Sequence, residues 1–426
     1  MLYGLDRLAK PIRMAVIGSG AMGKSLVYQS QLTPGIDCVA LAESRLERVI
    51  ACCEFLHRDY RVVRTLDEMH ETILQSQVAV CENGDLLARC ELVDVLIEAS
   101  SSVAAGGQLA VTALEHGKHL VMMNAEADLI FGPYLMRLAQ DNRVVYTSCD
   151  GDQHAVIKRL ADELQLWGLP LVMAGNIKGF LDRYANPTAI IPEADKRNLD
   201  YHMATAYTNG TKLCVEMALV ANGLGLSPLI SGMHGPRTHH VSAIFSLFDF
   251  ATLWRDRQPF VDYILGAEPG GRVFVVGYCD DDYQQSMLRY YKMGDGPFYV
   301  FYRPYHLCHV EAMACIAEAA LHKRALLHPT YGFRTNVYAY AKQDMHKGEK
   351  LDGIGGYDCY GLIENCTGNT GNSGLPICLA EEVTLAHDVH KDEKIFMSDV
   401  SYEQSRSDFA LYFKAVEQTQ RGSSCS

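Results

Sequence analysis

The sequence predicts an α/β fold built on a doubly wound parallel sheet, and two observations carry this prediction. First, Arg13–Gly23 (RMAVIGSGAMG) joins a short apolar strand to a glycine-rich turn, and a helical pattern follows over 24–31. Second, short apolar strands alternate with helices as far as residue 147, as in sheets with right-handed crossovers. The first part of the chain is therefore predicted to be a Rossmann domain.

The glycine-rich turn has the spacing Gly18-x-Gly20-x-x-Gly23, which is typical of dinucleotide binding. The first glycine allows a tight turn, the second lets the backbone approach a diphosphate, and the third lets helix and strand pack closely. The N-terminus of the helix then presents N–H groups to the phosphates. We therefore expect NAD or NADP here. The alternative is an ordinary strand–turn–helix unit with a chance glycine spacing.

The carboxyl ends of other strands complete the predicted cofactor site, because ligands of such sheets bind there. Glu43 lies 20 residues after Gly23, where an acid accepts hydrogen bonds from an adenosine ribose. An acid at this place repels the 2′-phosphate of NADP and so favours NAD. The neighbouring Arg45 is close enough to offset this repulsion, so the choice between NAD and NADP stays open. The predicted cofactor-binding residues are Gly18, Gly20, Ala21, Met22, Gly23, Glu43, Ser44, Arg45, Ala99, Ser100, Ser101, Asn124 and Glu126.

The composition fits a globular enzyme of two or three domains, with 426 residues and 48% hydrophobic residues. The formal net charge of −13 argues against nucleic acid or an anionic membrane as the main partner. No apolar run is long enough to cross a bilayer, and no apolar leader precedes the first strand. The 14 cysteines form no C-x-x-C motif, so we expect a cytoplasmic protein with reduced thiols and no metal site.

From Asp150 onward the pattern changes to an α+β mixture, and beyond residue 333 strands and glycine-rich loops dominate. Some segments have weak patterns. We expect residues 77–90 to be an elaboration of the first domain, a helix over 134–140 to begin behind Gly132-Pro133, 178–198 to be irregular, and 418–426 to be a frayed tail.

Hydride transfer also needs a group that gives or takes the hydroxyl proton of the substrate, and two lysines are candidates. Lys212 lies just inside a predicted helix, where the helix dipole disfavours an ammonium group. The alternative is a surface ion pair with Glu216, four residues further on. Lys178 follows a predicted strand and is the second candidate, with a lysine in a solvated loop as its alternative.

Polar residues in the second part of the chain are candidates for substrate binding. His234 lies in a Gly- and Pro-rich loop that also contains Arg237, His239 and His240. A strand-to-helix junction contains Tyr302, Arg303 and His306, and Arg303 is suited to bidentate binding of a phosphate or carboxylate.

Asp152 lies at the crossover between the two parts of the chain, where it lines the cleft or caps the next helix. For each histidine the alternative is a structural hydrogen bond. The chain has no H-E-x-x-H motif and no Ser-His-Asp order, so hydrolase chemistry has no support.

Six motifs together resemble those of the homoserine dehydrogenase-like oxidoreductases with a C-terminal SAF domain. One branch of this family is similar to 1-deoxy-D-xylulose 5-phosphate reductoisomerase, which makes 2-C-methyl-D-erythritol 4-phosphate with NADPH. The likeness extends to about residue 402. The motifs are GSGAMG (18–23), VMMNAEAD (121–128), NGTK (209–212), MHGP (233–236), KMGDGPFYVFYRPYHLC (292–308) and LDGIGGYDCYG (351–361).

The resemblance implies a domain organisation, a homodimer, and a lysine of the catalytic domain that serves proton transfer, for which Lys212 is the match by motif position. One departure concerns the crossover, where the family has an acid after Gly-Asp and this chain has the amide Gln153. The implied domains are a Rossmann domain over 1–149, an α+β catalytic and dimerisation domain over 150–335, a β-rich SAF-like domain over 336–404 and a tail over 405–426.

The resulting hypothesis is an NAD(P)-dependent oxidoreductase that acts on a small, polar, and in one version anionic, hydroxy-ketone, aldehyde or alcohol. In its most specific version, the hypothesis is that the protein is a reductoisomerase that acts on a sugar phosphate. One alternative is a homoserine-type or sugar-acid dehydrogenase without rearrangement. Another is a non-catalytic dinucleotide-binding sensor or scaffold.

Overall fold

The structure, a computed structural model, describes residues 2–197, 199–366 and 373–423. Its contacts divide the chain into two compact units that interleave in sequence. Unit 1 comprises the residues up to Ala155, Leu307–Pro329 and the segment from Ser407 onward. Unit 2 comprises Val156–His306 and Thr330–Arg406. This division differs from the consecutive domains that the sequence predicts.

Unit 1 contains a parallel seven-stranded sheet with the order β3-β4-β2-β1-β5-β6-β7, which confirms the predicted α/β class. Because β1 lies between β2 and β5, the strand order reverses at β1, and ligands bind outside the carboxyl ends of the strands at such a point. The strands are β1 (Ile12–Ile17), β2 (Ile36–Ala42), β3 (Tyr60–Val62), β4 (Val78–Cys81), β5 (Val95–Glu98), β6 (His119–Met122) and β7 (Tyr146–Ser148).

Helices cover this sheet, and residues from α1 and α13 share one apolar core with β1, β2 and β5. A π-helical turn, Glu318–His322, follows α13. The helices of unit 1 are α1 (Ala21–Leu32), α2 (Leu46–Phe55), α3 (Leu66–Leu74), α4 (Gly84–Arg89), α5 (Val103–Glu115), α6 (Ala125–Asp141), α13 (Cys308–Ala317) and α14 (Ser407–Ser423), and α7 (Gln153–Leu166) begins in it.

Two expectations for the first part of the chain are wrong. Residues 77–90 are not an elaboration, because β4 pairs between β3 and β2 in the main sheet. Helix α6 begins at Ala125 and contains Pro133. Its start is stabilised by Asn124, whose Oδ1 accepts a hydrogen bond from the Ala127 N–H at 3.1 Å. Acidic residues in the first turn add to that stability, and the helix continues through the proline.

The frayed tail expected from residue 418 is also wrong as far as residue 423, and residues 424–426 lie outside the described part. Residues 418–423 are helical and form the end of α14, a helix that packs against α5 and α6 through its earlier turns. Phe409, Tyr412 and Ala415 are buried on its inner face. The helix is therefore part of the core of unit 1.

Unit 2 is built on a five-stranded sheet with the order β12-β11-β8-β10-β9. Strand β8 runs parallel to β10 and antiparallel to β11, and β11 is antiparallel to β12. The strands are β8 (Leu171–Lys178), β9 (Ser227–Pro228), β10 (Phe260–Leu265), β11 (Arg272–Tyr278) and β12 (Phe298–Arg303).

The helices of unit 2 lie between these strands in sequence, and one of them, α8, falls in the segment that was expected to be irregular. After α7 they are α8 (Ile191–Arg197), α9 (Tyr201–Thr208), α10 (Thr211–Leu224), α11 (Phe250–Leu253) and α12 (Asp282–Tyr290).

The β-rich segment after residue 333 belongs to unit 2 by its contacts. In it β13 (Thr335–Ala341) pairs with β14 (Cys359–Asn365), and β15 (Thr384–Leu385) pairs with β16 (Val400–Ser401). Every cysteine that the structure describes is a free thiol. Among the helices described, none has both the length and the apolar character that crossing a bilayer requires.

Candidate active site

The glycine-rich turn after β1 has the geometry that a diphosphate needs. Gly18 has φ +96°, and a Cβ at this position would lie 2.6 Å from the Ala99 carbonyl oxygen. A Cβ on Gly23 would lie 1.8 Å from the Gly18 carbonyl oxygen, so α1 packs directly on the turn. Gly20, by contrast, has open space where its side chain would be. As the N-cap of α1 it also provides no side-chain cap for the first N–H groups of the helix.

Glu43 lies at the carboxyl end of β2 and hydrogen-bonds the same turn. Its Oε2 accepts from the Ser19 N–H at 3.1 Å and from the Ser19 hydroxyl at 3.2 Å, and its Oε1 accepts from the Ser44 hydroxyl at 3.0 Å. Partial burial works to raise the pKa of Glu43, but these hydrogen bonds outweigh it and lower the pKa. The acid is therefore held as a carboxylate beside the turn. Its contact with a ribose stays a prediction.

The loops after β5 and β6 contain the remaining residues predicted to bind the cofactor. The Ala99 N–H donates to the Ile17 carbonyl oxygen at 2.8 Å, which joins the ends of β1 and β5. Asn124 caps α6 and donates through Nδ2 to the Ser102 carbonyl oxygen at 3.2 Å. Glu126 is buried in the first turn of α6. Roles of Ser101, Asn124 and Glu126 in cofactor binding stay predictions.

In unit 2 the strands β8, β10 and β12 run in one direction, so their carboxyl ends lie at one edge of the sheet. Lys178 is the last residue of β8, and Arg303 is the last residue of β12. Val273 of β11 pairs with Asn176 on one side and with Arg303 on the other. The backbones of Asn176 and Arg303 are therefore about 10 Å apart, two strand spacings.

Lys178 is held by a buried carboxylate at this edge. Its Nζ lies 3.5 Å from Glu216 Oε2, and the same oxygen accepts a hydrogen bond from Asn176 Nδ2 at 3.2 Å. The side chains of Lys178 and Glu216 are 15% and 4% exposed. The alternative of a lysine in a solvated loop is therefore wrong.

Lys212 lies in the first turn of α10 and is only 6% exposed. Glu216 is four residues further along the same helix, so their Cα–Cβ bonds lie on one face. Both residues are buried, which contradicts the alternative of a surface ion pair. Lys212 therefore lies on the same face of α10 as Glu216, the carboxylate that contacts Lys178.

His234 is oriented by a second buried carboxylate, Asp262 of β10. Its Nδ1 lies 2.9 Å from Asp262 Oδ2, and the N–H groups of His234 and Gly235 donate to Asp262 at 3.1 and 2.9 Å. With its Nδ1–H bound to the carboxylate, the neutral ring has an acceptor at Nε2. Asp262 pairs with Gly175 and Tyr263 pairs with Asn176. His234 is therefore bound on the opposite face of the sheet from Asn176 and Lys178.

The segment that follows His234 runs along the carboxyl edge. Arg237 bridges to Leu265, and its Nη1 lies 3.9 Å from the position of a Cβ on Gly266. The His240 ring meets the ring of Tyr302 edge-on, with centroids 6.1 Å apart. Arg303 lies over the ring of Tyr305 at 4.6 Å. We call Lys178, Arg237 and Arg303 the cationic rim.

The last two predicted substrate residues lie where the two units meet in sequence. His306 is half-buried and is the final residue of the first segment of unit 2. Asp152 lies in unit 1, in the turn before α7, where its Oδ1 accepts from the Gln153 N–H at 2.8 Å. Their roles towards a substrate stay predictions.

Comparison with known families gives two matches to the chain. Residues 17–146 match the NAD binding domain of homoserine dehydrogenase, and residues 151–312 match the catalytic domain of oxidoreductase DRL. The chain therefore contains a homoserine dehydrogenase-like NAD-binding domain followed by an oxidoreductase DRL catalytic domain. The family resemblance and the NAD(P) cofactor expected from the sequence are thereby confirmed. Neither match covers the segment expected to be a SAF domain.

Solved structures similar to this oxidoreductase include a dehydrogenase from Thermotoga maritima, with 11% identity and a TM-score of 0.37, over 62% of this chain and 72% of that one. DOX-P reductoisomerase with fosmidomycin and magnesium has 13% identity and a TM-score of 0.37, over 72% and 79% of the two chains. Biliverdin reductase from Synechocystis has 12% identity and a TM-score of 0.29, over 41% and 49%. No curated protein has a sequence that matches the chain. The assignment as an NAD(P)-dependent oxidoreductase therefore rests on the two family matches.

The sequence does not by itself identify three buried acidic residues, Glu98, Glu216 and Asp262, as candidate functional residues. Glu216 was considered only as a surface partner of Lys212. Asp262 and Glu98 each occur in a run of apolar strand residues, FVDYIL and VDVLIE. A carboxylate in such a run is the signal that could have found them, because a buried acid needs partners.

Proposed function

We propose that this oxidoreductase transfers a hydride between NAD(P) and a small polar substrate with a phosphate or carboxylate group, of the sugar-phosphate or sugar-acid class. The cationic rim is the observation that carries the proposal. The rim has three positive side chains at or beside the carboxyl ends of β8, β10 and β12, in a chain with a net charge of −13. Guanidinium groups bind phosphate and carboxylate through paired hydrogen bonds.

The cofactor is held by unit 1 in this proposal. Gly20 leaves room for the diphosphate, the first N–H groups of α1 bind its oxygens, and Glu43 accepts from the adenosine ribose. When bound, the nicotinamide supplies or takes the hydride.

Lys212 is the proposed proton donor and acceptor for the substrate oxygen. In reduction the carbonyl carbon takes the hydride while its oxygen takes a proton from Lys212 Nζ, and oxidation reverses both transfers. Burial of Lys212 keeps water from competing for the ammonium group. Glu216 holds Lys178 in place for the anionic group of the substrate.

The most specific version is a reductoisomerase of a phosphate such as 1-deoxy-D-xylulose 5-phosphate, and the motif resemblance supports it. Dehydrogenation without rearrangement is its competitor, and analysis of the product carbon skeleton separates the two. The same resemblance supports a homodimer, which light scattering of the purified chain tests.

Absorbance at 340 nm, with NADPH or NADH and a panel of matched phosphorylated and unphosphorylated hydroxy-ketones, tests the proposal. We expect Lys212→Met to lower kcat by about a hundredfold or more, since a lost general acid has an effect of this size. Lys196→Gln removes a lysine whose side chain is 74% exposed and is the matched control. We expect Arg303→Gln to raise KM for phosphorylated substrates and to leave KM for NADPH unchanged.

Two results would contradict the proposal. Full turnover by a folded Lys212→Met variant would remove the lysine from the reaction. Equal turnover of the unphosphorylated substrates, unaffected by Arg303→Gln, would remove the cationic rim from substrate binding.

A further inference from the structure

A cavity of about 520 Å³ lies in unit 1 at the amino-terminal edge of the seven-stranded sheet. Residues at or just before the starts of β1, β5 and β6 line it, among them Arg13, Asp94 and His119. In a parallel sheet this edge is opposite to the one that has the glycine-rich turn. The cavity is therefore separate from the cofactor crevice. We call it the amino-edge cavity.

The lining of the amino-edge cavity is positively charged. Four cationic side chains, Lys10, Arg13, Lys118 and Lys323, stand against two acids, Glu91 and Asp94. One of the acids is already engaged, because Asp94 Oδ2 accepts a hydrogen bond from the Arg13 N–H at 2.8 Å. An excess of cations in one cavity of a chain with net charge −13 favours an anionic ligand.

Lys118 is the buried member of this group, with 6% of its surface exposed. Within the described part of the chain, its ammonium group makes no hydrogen bond or ion pair. Burial lowers the pKa of Lys118, as expected for a cation taken out of water. A buried charge is costly unless a counter-charge accompanies it. The charges of Asp94 and Glu91 oppose this shift, but neither carboxylate forms an ion pair with Lys118, so a bound anion would supply a direct counter-charge.

Lys323 is a second donor at the same place, and it is held there by His119. His119 Nδ1 accepts a hydrogen bond from the Val145 N–H at 3.0 Å, so the neutral ring has its proton on Nε2. Nε2 lies 2.5 Å from Lys323 Nζ. Burial, together with the charge of Lys323, lowers the pKa of His119 to about 4, which keeps the ring neutral at physiological pH. The two nitrogens share this hydrogen bond, and an anionic oxygen beside Lys323 would accept from its remaining N–H bonds.

We propose that the amino-edge cavity binds the phosphate group of a small phosphate ester, with Lys118, Lys323 and Arg13 as its ligands. The cavity volume is within the roughly 300–1,000 Å³ of small-molecule sites, so it has room for an organic part beyond the phosphate. This site does not depend on the proposed function, because none of its residues belongs to the cationic rim or the glycine-rich turn.

Calorimetric titration of the full chain tests the site, with glycerol 3-phosphate and inorganic phosphate as separate probes at constant ionic strength. Saturating NADPH occupies the cofactor crevice during the titration. We expect Lys118→Gln and Lys323→Gln each to weaken binding of glycerol 3-phosphate by about tenfold or more, as for a lost charge-assisted hydrogen bond. Lys414→Gln removes an exposed lysine of unit 1 outside the cavity and is the matched control. Because the cationic rim also binds phosphate esters in the proposed function, all of these titrations are made in the Arg303→Gln background, in which binding to the cavity should persist.

The proposal is overturned if neither probe binds, or if binding disappears once NADPH is present. It is also overturned if both cavity variants bind as their Arg303→Gln parent does, or if Arg303→Gln abolishes binding. Tighter binding of inorganic phosphate than of the ester would assign the cavity to free phosphate and exclude the ester.

Discussion

Glu98 is a fully buried carboxyl group at the end of β5, beside the predicted cofactor loop. Its Oε1 accepts a hydrogen bond from the Ser100 N–H at 2.9 Å, and a Cβ on Gly106 of α5 would lie 2.8 Å from its Oε2. Burial raises the pKa of Glu98 from its ordinary 4.5 to about 7, although hydrogen bonds from Ser100 oppose the shift. The group therefore changes charge near neutral pH at a place that touches the loop after β5.

This shift predicts a pH-dependent stability. Between pH 4.5 and about 7 the folded chain keeps a proton on Glu98 that the unfolded chain loses, so the free energy of unfolding falls as pH rises. The fall amounts to roughly 3 kcal/mol and levels off above pH 7. We expect Glu98→Gln to remove this component, so that urea unfolding at pH 5, 6, 7 and 8 shows a flatter profile. Glu115→Gln, at an exposed position on α5, should keep the wild-type slope. Identical slopes for Glu98→Gln and wild type would contradict the assignment.

At the level of single elements, α14 shows how a distant segment completes a core. Its inner residues Phe409, Tyr412 and Ala415 follow a helical spacing, and all are buried against the first unit. Gly107 of α5 makes room for the Phe131 ring of α6, which would lie 2.3 Å from a Cβ there, and Leu411 of α14 packs beside them at 3.2 Å from the same position. The helix is therefore held by packing against α5 and α6.

A truncation of its inner face tests this packing. We expect Phe409→Ala to lower the free energy of unfolding by about 3–5 kcal/mol, because it removes a large side chain from a closed core. Phe413→Ala on the same helix affects a residue that is 48% exposed, and it should cost much less. Chemical denaturation monitored by circular dichroism measures both. Equal losses for the two variants would show that α14 is not packed through this face.

Elements with local signals could be predicted from the sequence, and elements that depend on distant partners could not. The strand, glycine turn and helix of Arg13–Gln31 lie close to where the sequence places them, since hydrophobic periodicity and glycine spacing are local. The partners of α14 lie on α5 and α6, about 300 residues earlier in the chain. For α6, a capping asparagine with acidic first-turn residues outweighs the proline signal.

The candidate site divides in the same way. Lys178, Arg303 and His234 were found from motif position and loop composition, which are visible in the sequence. The pairing of Lys178 with Glu216 and of His234 with Asp262 depends on how β8, β10 and α10 are arranged in space. Spacing along the chain shows neither pairing.

At the level of the whole molecule, the two compact units are not consecutive along the chain. The core of unit 1 includes Ala312, Met313 and Ile316 of α13 together with Leu26 and Val27 of α1. Unit 2 is formed by two stretches of sequence, one before and one after the segment that contains α13. Both stretches precede α14. Neither unit therefore corresponds to one continuous stretch of sequence.

A fragment of residues 1–155 should consequently fail to form a stable NAD(P)-binding domain. It contains the whole parallel sheet but lacks the apolar residues of α13 and α14. We expect it to bind an apolar dye, to be cleaved rapidly by protease and to unfold without a sharp transition. The same fragment with 307–329 and 407–423 attached through flexible linkers is the control and should regain cooperative unfolding. A fragment of 1–155 that melts like the full chain would contradict this expectation.

The interleaving also orders events during translation. Domains ordinarily fold as they leave the ribosome, the N-terminal one first. Here the glycine-rich turn emerges early, yet the helix that closes its domain is made only after residue 406. Unit 1 thus matures only after unit 2 has been translated, and nascent chains stalled before α14 would expose the uncovered apolar surface of α5 and α6 to chaperones.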